Sequence, residues 1–251
     1  MSYIPYAKQT IFIPNIEWCN KNDYALLHQH KSVRIVAKTK YALDVLSKIF
    51  KERVLYVPWH SKDMYDPSIE KREEWLHVKG VSRFKNTPLL LSVWLKHPEW
   101  PMLHIVANGD EGKNGFLEVP VPMRVTHNIT MYQYTLSDEA LKELMNTCAY
   151  HACPSFVEGF GHYIHEGQST GATIITTHGC PMNELVSHPD LLVPSDQPPV
   201  IMNLGLGFVI TAAQLESCIE KVIKHKIKDH TSRRAFEERG VDFKKHLNTI
   251  M

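Results

Sequence analysis

The sequence has almost no excess charge of either sign. Lysine and arginine together number 28 and aspartate and glutamate 27, which leaves a formal net charge of +1. The basic residues are interspersed with acidic ones, so the chain has no positive field that would steer it onto a polyanion. We therefore expect no nucleic-acid partner.

Long hydrophobic runs are also missing. The longest, such as Leu89 to Leu91, are far too short for a membrane span, which takes about 20 apolar residues. The stretch Met1 to Thr10 is mixed polar and aromatic and lacks the charged start and apolar centre of a secretory signal. These absences predict a cytoplasmic protein, and they leave peripheral association with a membrane open.

Signals for disulfides and metals are weak. The five cysteines are odd in number and scattered, which favours free buried thiols over a disulfide framework. The 15 histidines form no HExxH motif, and His162-x-x-His165-Glu166 has the wrong order for a zinc protease or its inverse. No Asp-x-Asp pair is present to hold a divalent cation against a diphosphate. We expect no bound metal.

What the sequence does contain is an alternation of short apolar runs with longer helical patterns, which predicts βαβ units and a mostly parallel sheet. In the first part of the chain the predicted strands are Thr10 to Ile13, Val33 to Ala37 and Arg53 to Val57, and the predicted helices lie near Asp23 to Gln29 and Tyr41 to Phe50. These elements make only part of a domain.

The stretch Pro58 to Glu74 is predicted to be a linker, after which the pattern restarts more completely. Further strands are predicted at Leu76 to Val78, Leu103 to Ala107, Ile129 to Tyr132, Ala149 to Cys153, Ala172 to Thr176 and Leu191 to Val193. Helices are predicted after Thr87 as N-cap, at Asp138 to Thr147, at Ala212 to Lys224 and at Ser232 to Ile250.

The predicted fold class is therefore α/β, with a partial Rossmann-like N-terminal domain and a complete Rossmann-like C-terminal domain. The predicted boundaries are 1–68 for the first domain and its linker, 69–231 for the second, and 232–251 for a final helix.

The segment from Pro154 to Glu166 contains the most informative motif. It follows a predicted strand and begins a predicted helix, so it lies at the carboxyl edge of the sheet, where open α/β folds bind ligands. Gly159 and Gly161 leave backbone amides free to approach an anion at the start of the helix. A diphosphate fits such a turn.

Two carboxylates, Glu158 and Glu166, flank this turn. Carboxylates accept hydrogen bonds from vicinal hydroxyls, which a ribose and a hexose both present. The combination indicates a nucleotide sugar. From the residues alone, the alternative is an ordinary turn with two solvated acids.

The two glutamates form an E-x7-E arrangement, which begins E-G-F-G and is followed by G-A-T-I-I-T and P-M-N-E-L-V. This pattern resembles the signature of retaining glycosyltransferases of family 4. The resemblance implies that Glu158 acts at the donor sugar, that Glu166 binds the ribose, and that the amides of Gly159 to Gly161 hold the diphosphate. It places Phe160, His162 and Tyr134 in the nucleotide-sugar site, His162 without a catalytic role.

A second matching element runs from His77 to Thr87 and resembles the first strand and loop of the family's donor domain. That loop supplies cations to the diphosphate, so the resemblance assigns Lys85 and Arg83 to catalysis beside Glu158. The spacing between these two basic residues is shorter than is usual in the family. The alternative for both is a solvated surface charge.

The resemblance covers most of Leu76 to Val193, is weaker through Asn108 to Pro122, and extends faintly to Pro14-Asn15-Ile16-Glu17-Trp18 and Lys38-Thr39. It implies a GT-B-like fold in which the final helix crosses back onto the first domain.

The implied activity is metal-independent transfer of a sugar from a nucleotide diphosphate to an unknown acceptor (glycan, lipid or protein) with retention of configuration. The only cofactor-like molecule would be the donor substrate itself. Because the N-terminal domain is short, a non-catalytic or partner-dependent nucleotide-sugar-binding protein is the main alternative, with a partner subunit or oligomer completing that domain. A Rossmann dehydrogenase lacks its G-x-G-x-x-G motif here.

Overall fold

The computed structural model describes residues 7–107 and 122–250. Of the weakly matching stretch Asn108 to Pro122, residues 108–121 lie outside the described residues. The strands are β1 (Ile11–Phe12), β2 (Arg34–Ala37), β3 (Val54–Tyr56), β4 (Arg72–Val78), β5 (Leu103–Val106), β6 (Met123–Thr126), β7 (Ile129–Tyr132), β8 (Cys148–Cys153), β9 (Thr173–Thr177), β10 (Leu192–Val193), β11 (Val200–Met202) and β12 (Gly205–Gly207). The helices are α1 (Lys21–Gln29), α2 (Lys40–Phe50), α3 (Thr87–Trp94), α4 (Asp138–Thr147), α5 (His162–Ser169), α6 (Ala212–His225) and α7 (Ser232–Leu247). No helix in these ranges is long and apolar enough to cross a membrane.

The first part of the chain forms a three-stranded parallel sheet in the order β1-β2-β3. Asn20 begins α1 with a capping box to Asp23, and the Thr39 side chain caps α2 by accepting from the Ala42 amide. Helix α2 buries Leu46 and Phe50 against the sheet. The strands and helices predicted for this region are confirmed, with small shifts at their ends.

The second part forms a seven-stranded sheet in the order β10-β9-β8-β4-β5-β7-β6. All neighbouring pairs are parallel except β6 with β7. Strands β8 and β9 are buried along their whole length, as expected for central strands covered on both faces. The α/β fold class is therefore confirmed.

Three details differ from the sequence prediction. Strand β6 and the antiparallel hairpin β11–β12 were not predicted. The predicted linker ends early, because β4 already begins at Arg72. Thr87 is not the N-cap of α3: Asn86 occupies that position at φ 52° without a side-chain cap, and the Thr87 hydroxyl instead lies 2.8 Å from His77 Nε2.

The prediction of free thiols is confirmed. All five cysteines are unpaired, and all are buried except Cys180, which is partly exposed.

Helix α7 contacts both parts of the chain. Phe236 is buried, and its ring centroid lies 4.6 Å from that of His165 in α5. Phe243 and Leu247 pack in the cluster that contains Val36 and Val57. The Arg239 guanidinium donates to the Trp59 carbonyl at 2.8 Å. The domain boundaries predicted above stay a prediction.

Candidate functional site

Two loops lie side by side at the carboxyl edge of the large sheet, one between β8 and α5 and the other between β4 and α3. The Phe156 amide donates to the Phe84 carbonyl at 2.8 Å. The Asn86 side-chain amide donates to the Pro154 carbonyl, also at 2.8 Å. These two bonds hold together the two segments that the sequence singled out.

The turn before α5 depends on glycine. Gly161 is the N-cap of α5 with φ 100° and ψ 55°, a left-handed backbone conformation that residues with a Cβ rarely adopt. No side chain of a described residue caps this helix start. The turn therefore leaves the positive end of the helix available to an anion.

Lys85 and Glu158 meet beside this turn. Their Nζ and Oε1 atoms are 2.5 Å apart, and both side chains are only 13% exposed. Lys85 Nζ also lies 3.4 Å from the centroid of the Tyr163 ring. Such low exposure demands close pairing, because a buried charge without a partner is costly. Two of the three predicted catalytic residues are thus in direct contact.

A hydroxyl chain fixes the Glu158 carboxylate. Ser155 Oγ lies 2.5 Å from Glu158 Oε1 and 2.5 Å from the Tyr163 hydroxyl. Since the serine has one proton and donates it to the carboxylate, the Tyr163 hydroxyl is the donor to Ser155. Burial raises the pKa of Tyr163, which keeps that proton in place.

Glu166 lies in the second turn of α5 and is half-buried. Burial raises the pKa of its carboxyl, while the nearby Lys85 and Lys62 lower it. Glu158 and Glu166 therefore both lie in the field of Lys85.

The remaining predicted residues are more dispersed. The exposed Arg83 has its guanidinium 5.3 Å from the Phe84 ring centroid and no ion pair to a described residue. Tyr134 follows β7, half-buried, with its ring 6.2 Å from that of Tyr132. Neither hydrogen-bonds to Lys85 or Glu158.

Phe160 and His162 differ in their surroundings. The Phe160 ring is 2% exposed and belongs to the main hydrophobic core, so only its backbone can contact a ligand. His162 is exposed at the first position of α5, and its Nδ1 lies 2.9 Å from Ser61 Oγ. The binding roles assigned to these residues stay predictions.

Sequence reasoning missed a contribution from the small sheet. Glu17, in the loop after β1, and Lys38, directly after β2, are 7% and 6% exposed. The Lys38 ammonium donates to the Asn15 side chain. A Cβ added at Gly159 would lie 2.3 Å from Glu17 Oε2, so the Glu17 carboxyl lies directly on the glycine turn. The faint resemblance at residues 14–18 and 38–39 was the only signal, and it assigned no role.

A second bridge joins the two sheets nearby. The Glu184 carboxylate accepts from the backbone amides of Lys40 and Tyr41, the first two residues of α2, at 2.8 and 2.7 Å. The carboxyl edges of the two sheets thus face each other and are in direct contact.

One group of described residues has the spacing of metal ligands: ligand atoms of Glu74, His104 and Cys148 lie within 4.8 Å of one another. Cys148 is the first residue of β8, and His104 is the second of β5, so the group lies away from the carboxyl edge. Both His104 nitrogens already have partners, Glu74 at 2.9 Å and the Tyr132 hydroxyl at 3.2 Å. The absence of a metal stays a prediction.

Comparison with known proteins finds no matching family model and no matching curated protein. Solved structures do match. That of Anabaena Alr3699/HepE in complex with UDP and glucose aligns at a TM-score of 0.69 and 13% identity over 99% of this chain and 73% of that one. The pneumococcal O-GlcNAc transferase GtfA in complex with UDP and GlcNAc aligns at 0.64 and 14% over 91% of this chain and 46% of that one.

Sucrose-phosphate synthase from Thermosynechococcus elongatus aligns at 0.62 and 14% over 88% of this chain and 57% of the enzyme. The chain thus spans about half the length of two of these three proteins. At such identities the likeness shows the fold, which is that of the GT-B glycosyltransferases.

Proposed function

We propose that this protein is a metal-independent, retaining glycosyltransferase of family 4, which transfers a sugar from a nucleotide diphosphate to an acceptor. The observation that carries the proposal is the largely buried Lys85–Glu158 pair beside the glycine turn at the start of α5. A cation, a carboxylate and an uncapped helix start converge there.

The diphosphate would lie against the amides of Gly159 to Gly161. Charge at a helix start is stabilised by about 0.3–1 kcal/mol when exposed and by up to about 2 kcal/mol when partly buried. Lys85 adds a fixed cation where the leaving group gains negative charge. Positioned charge of this kind is the largest stabilising contribution in many enzymes.

The two carboxylates would bind the sugar units. Glu158, held by Ser155 and Lys85, would accept from hydroxyls of the donor sugar, and the half-buried Glu166 from those of the ribose. The leaving phosphate oxygen would receive the acceptor's proton, so the protein contributes position and charge rather than a strong base. Arg83 and His162, both exposed at the same edge, would complete the diphosphate surroundings, and Tyr134 would lie near the base.

UDP-hexoses are the first donors to test. Structures similar to this chain contain UDP with glucose and UDP with GlcNAc. The acceptor could be a glycan, a lipid or a protein.

A partner-dependent or non-catalytic nucleotide-sugar-binding protein is the second candidate. It is favoured by the small size of the first sheet, which has three strands among the described residues. The GtfA/B complex, similar to this chain at a TM-score of 0.58 and 15% identity, is an assembly of two proteins. For this chain, such a partner would complete the first domain.

Calorimetry with UDP, GDP and ADP, followed by assays of UDP-glucose hydrolysis and transfer, tests the proposal. Glu166→Ala is expected to abolish turnover while the fold survives, and Glu143→Ala, an exposed glutamate of α4, serves as the control. An anomeric proton spectrum of the product tests retention.

Three results would count against the proposal. If no nucleotide bound, the site assignment would be wrong. Binding without turnover would favour the second candidate, and unchanged turnover in Glu166→Ala would remove that residue's role.

A further inference from the structure

Glu17 carries an unexplained polar atom. The residue is 7% exposed, and its Oε2 has no hydrogen-bond partner among residues 7–107 and 122–250. A buried acceptor left without a donor costs about 1–3 kcal/mol. Buried polar atoms of this kind call for an explanation, and a missing ligand is one.

The backbone of Glu17 is firmly held. The Asn203 side-chain amide donates to its carbonyl at 2.6 Å. A Cβ at Gly205 would lie 3.0 Å from its Cα, so the β11–β12 hairpin packs directly against it. The carboxyl is therefore placed by the fold and does not merely extend into open space.

The carboxyl lies where a ligand of the proposed site would pass. A Cβ at Gly159 would lie 2.3 Å from Oε2 and 2.9 Å from Oε1, which puts Glu17 on the turn proposed to hold the diphosphate. Burial raises the pKa of this carboxyl, and a hydrogen bond from its own backbone amide lowers it; among the neighbours, Glu158 raises the pKa and Lys38 and Lys85 lower it. Glu17 thus shares its surroundings with residues of both sheets.

Glu17 Oε2 can be satisfied only by a ligand that donates a hydrogen bond. A diphosphate has no proton to donate at neutral pH and repels a carboxylate, so it does not satisfy Oε2. A hydroxyl does. Because the Glu17 carboxyl lies against the turn proposed to hold the diphosphate, a hydroxyl bound to it would lie beside the proposed leaving group. Retention requires attack from that side.

We propose that Glu17 binds the attacking hydroxyl of the acceptor, an alcohol such as a sugar hydroxyl, which donates its hydrogen bond to Oε2. This inference rests on the proposed function. The acceptor oxygen forms a bond to the anomeric carbon as the bond from that carbon to the diphosphate oxygen breaks. The electron pair stays on the leaving oxygen. The hydroxyl proton is hydrogen-bonded to Oε2 while the acceptor is positioned, and it turns to a leaving phosphate oxygen and is transferred there as negative charge develops on that oxygen. Glu17 orients the hydroxyl and ends the reaction unchanged.

The test compares Glu17→Gln and Glu17→Ala with the control Glu52→Gln, an exposed glutamate of the same domain. UDP affinity is measured by calorimetry. Turnover of UDP-glucose is measured with water as the acceptor and with a panel of p-nitrophenyl hexosides. We expect Glu17→Ala to lose at least tenfold in turnover and Glu17→Gln to lose less. UDP affinity should equal or exceed that of the wild type, because both changes remove a negative charge that repels the diphosphate.

The outcomes separate the two proposals. Turnover within twofold of the wild type in both Glu17 variants would overturn this inference and leave the proposed function intact. A parallel loss of UDP affinity would also overturn it, because Glu17 would then serve the donor. A wild-type protein that binds no nucleotide, or binds UDP without turnover, would overturn both the inference and the activity. The Glu52→Gln control should match the wild type throughout.

Discussion

Removing the Glu184 carboxylate should weaken the connection between the two sheets. Its two oxygens accept from the Lys40 and Tyr41 amides at 2.8 and 2.7 Å. Glu184 therefore caps helix α2, which packs on the small sheet. Helix α2 has one other cap, the Thr39 hydroxyl. Glu184→Ala leaves two helix-start amides without their protein acceptor.

The size of the effect follows from the geometry. Hydrogen bonds to a charged group contribute about 1.5–3 kcal/mol each when buried, and loss of an N-cap costs about 0.5–2 kcal/mol. Because Glu184 is half-exposed and water can replace it, we expect a loss of about 1–2 kcal/mol in the free energy of unfolding. For a chain of this size that lowers Tm by about 2–8 °C.

Urea unfolding measures this loss of stability in four proteins: the wild type, Glu184→Ala, Glu184→Gln and the control Glu220→Ala. Glu220 is an exposed residue of α6 and should change stability by less than about 0.5 kcal/mol. The glutamine variant keeps one acceptor oxygen and should fall between the wild type and alanine. Small-angle scattering reports whether the two sheets move apart in the variants. A Glu184→Ala protein as stable as the Glu220→Ala control would refute the reasoning.

Three further results are expected. Gly159→Ala brings a Cβ to 2.3 Å from Glu17 Oε2, so UDP affinity measured by calorimetry should fall. Adding Glu17→Ala should restore part of that affinity. If the effects of the two substitutions on UDP affinity were strictly additive, the contact would be contradicted. Lys85→Met leaves Glu158 buried without its cation and should lower the unfolding free energy by about 3 kcal/mol, whereas the double variant with Glu158→Gln should recover most of it in urea unfolding. Burial lowers the pKa of His77 from its ordinary 6.5 to about 4, so the unfolded chain takes up a proton first as the pH falls. The contribution of His77, measured as the difference in unfolding free energy between the wild type and His77→Gln, should then fall by about 3 kcal/mol between pH 6.5 and 4. An equally steep drop in both proteins would exclude this origin.

The fold could be predicted where local pattern and final burial agree. Strands β8 and β9 are buried throughout, and their apolar runs stand out between polar turns. Helix α6 begins at a capping box formed by Thr211 and Gln214, as its sequence predicts. The glycine turn was predictable for the same reason, since it lies between a clear strand and a clear helix.

The features that were missed depend on partners distant in sequence. The hairpin strand Val200–Met202 is short and largely exposed, and it is defined by pairing with β12. Thr87 has a favourable sequence context for an N-cap, yet its hydroxyl is engaged by the buried His77. The contact of Glu17 with Gly159 exists only because two sheets face each other. Spacing along the chain contains no trace of it.

Helix α7 ties the two parts of the chain together. Its first half is anchored on α5 through Phe236, and its second half on the small sheet through Phe243, whose ring lies 5.4 Å from that of Trp59. The two parts of the chain therefore cannot separate unless helix α7 gives up one of these two contacts. The Arg239 hydrogen bond to the Trp59 carbonyl strengthens the second of them.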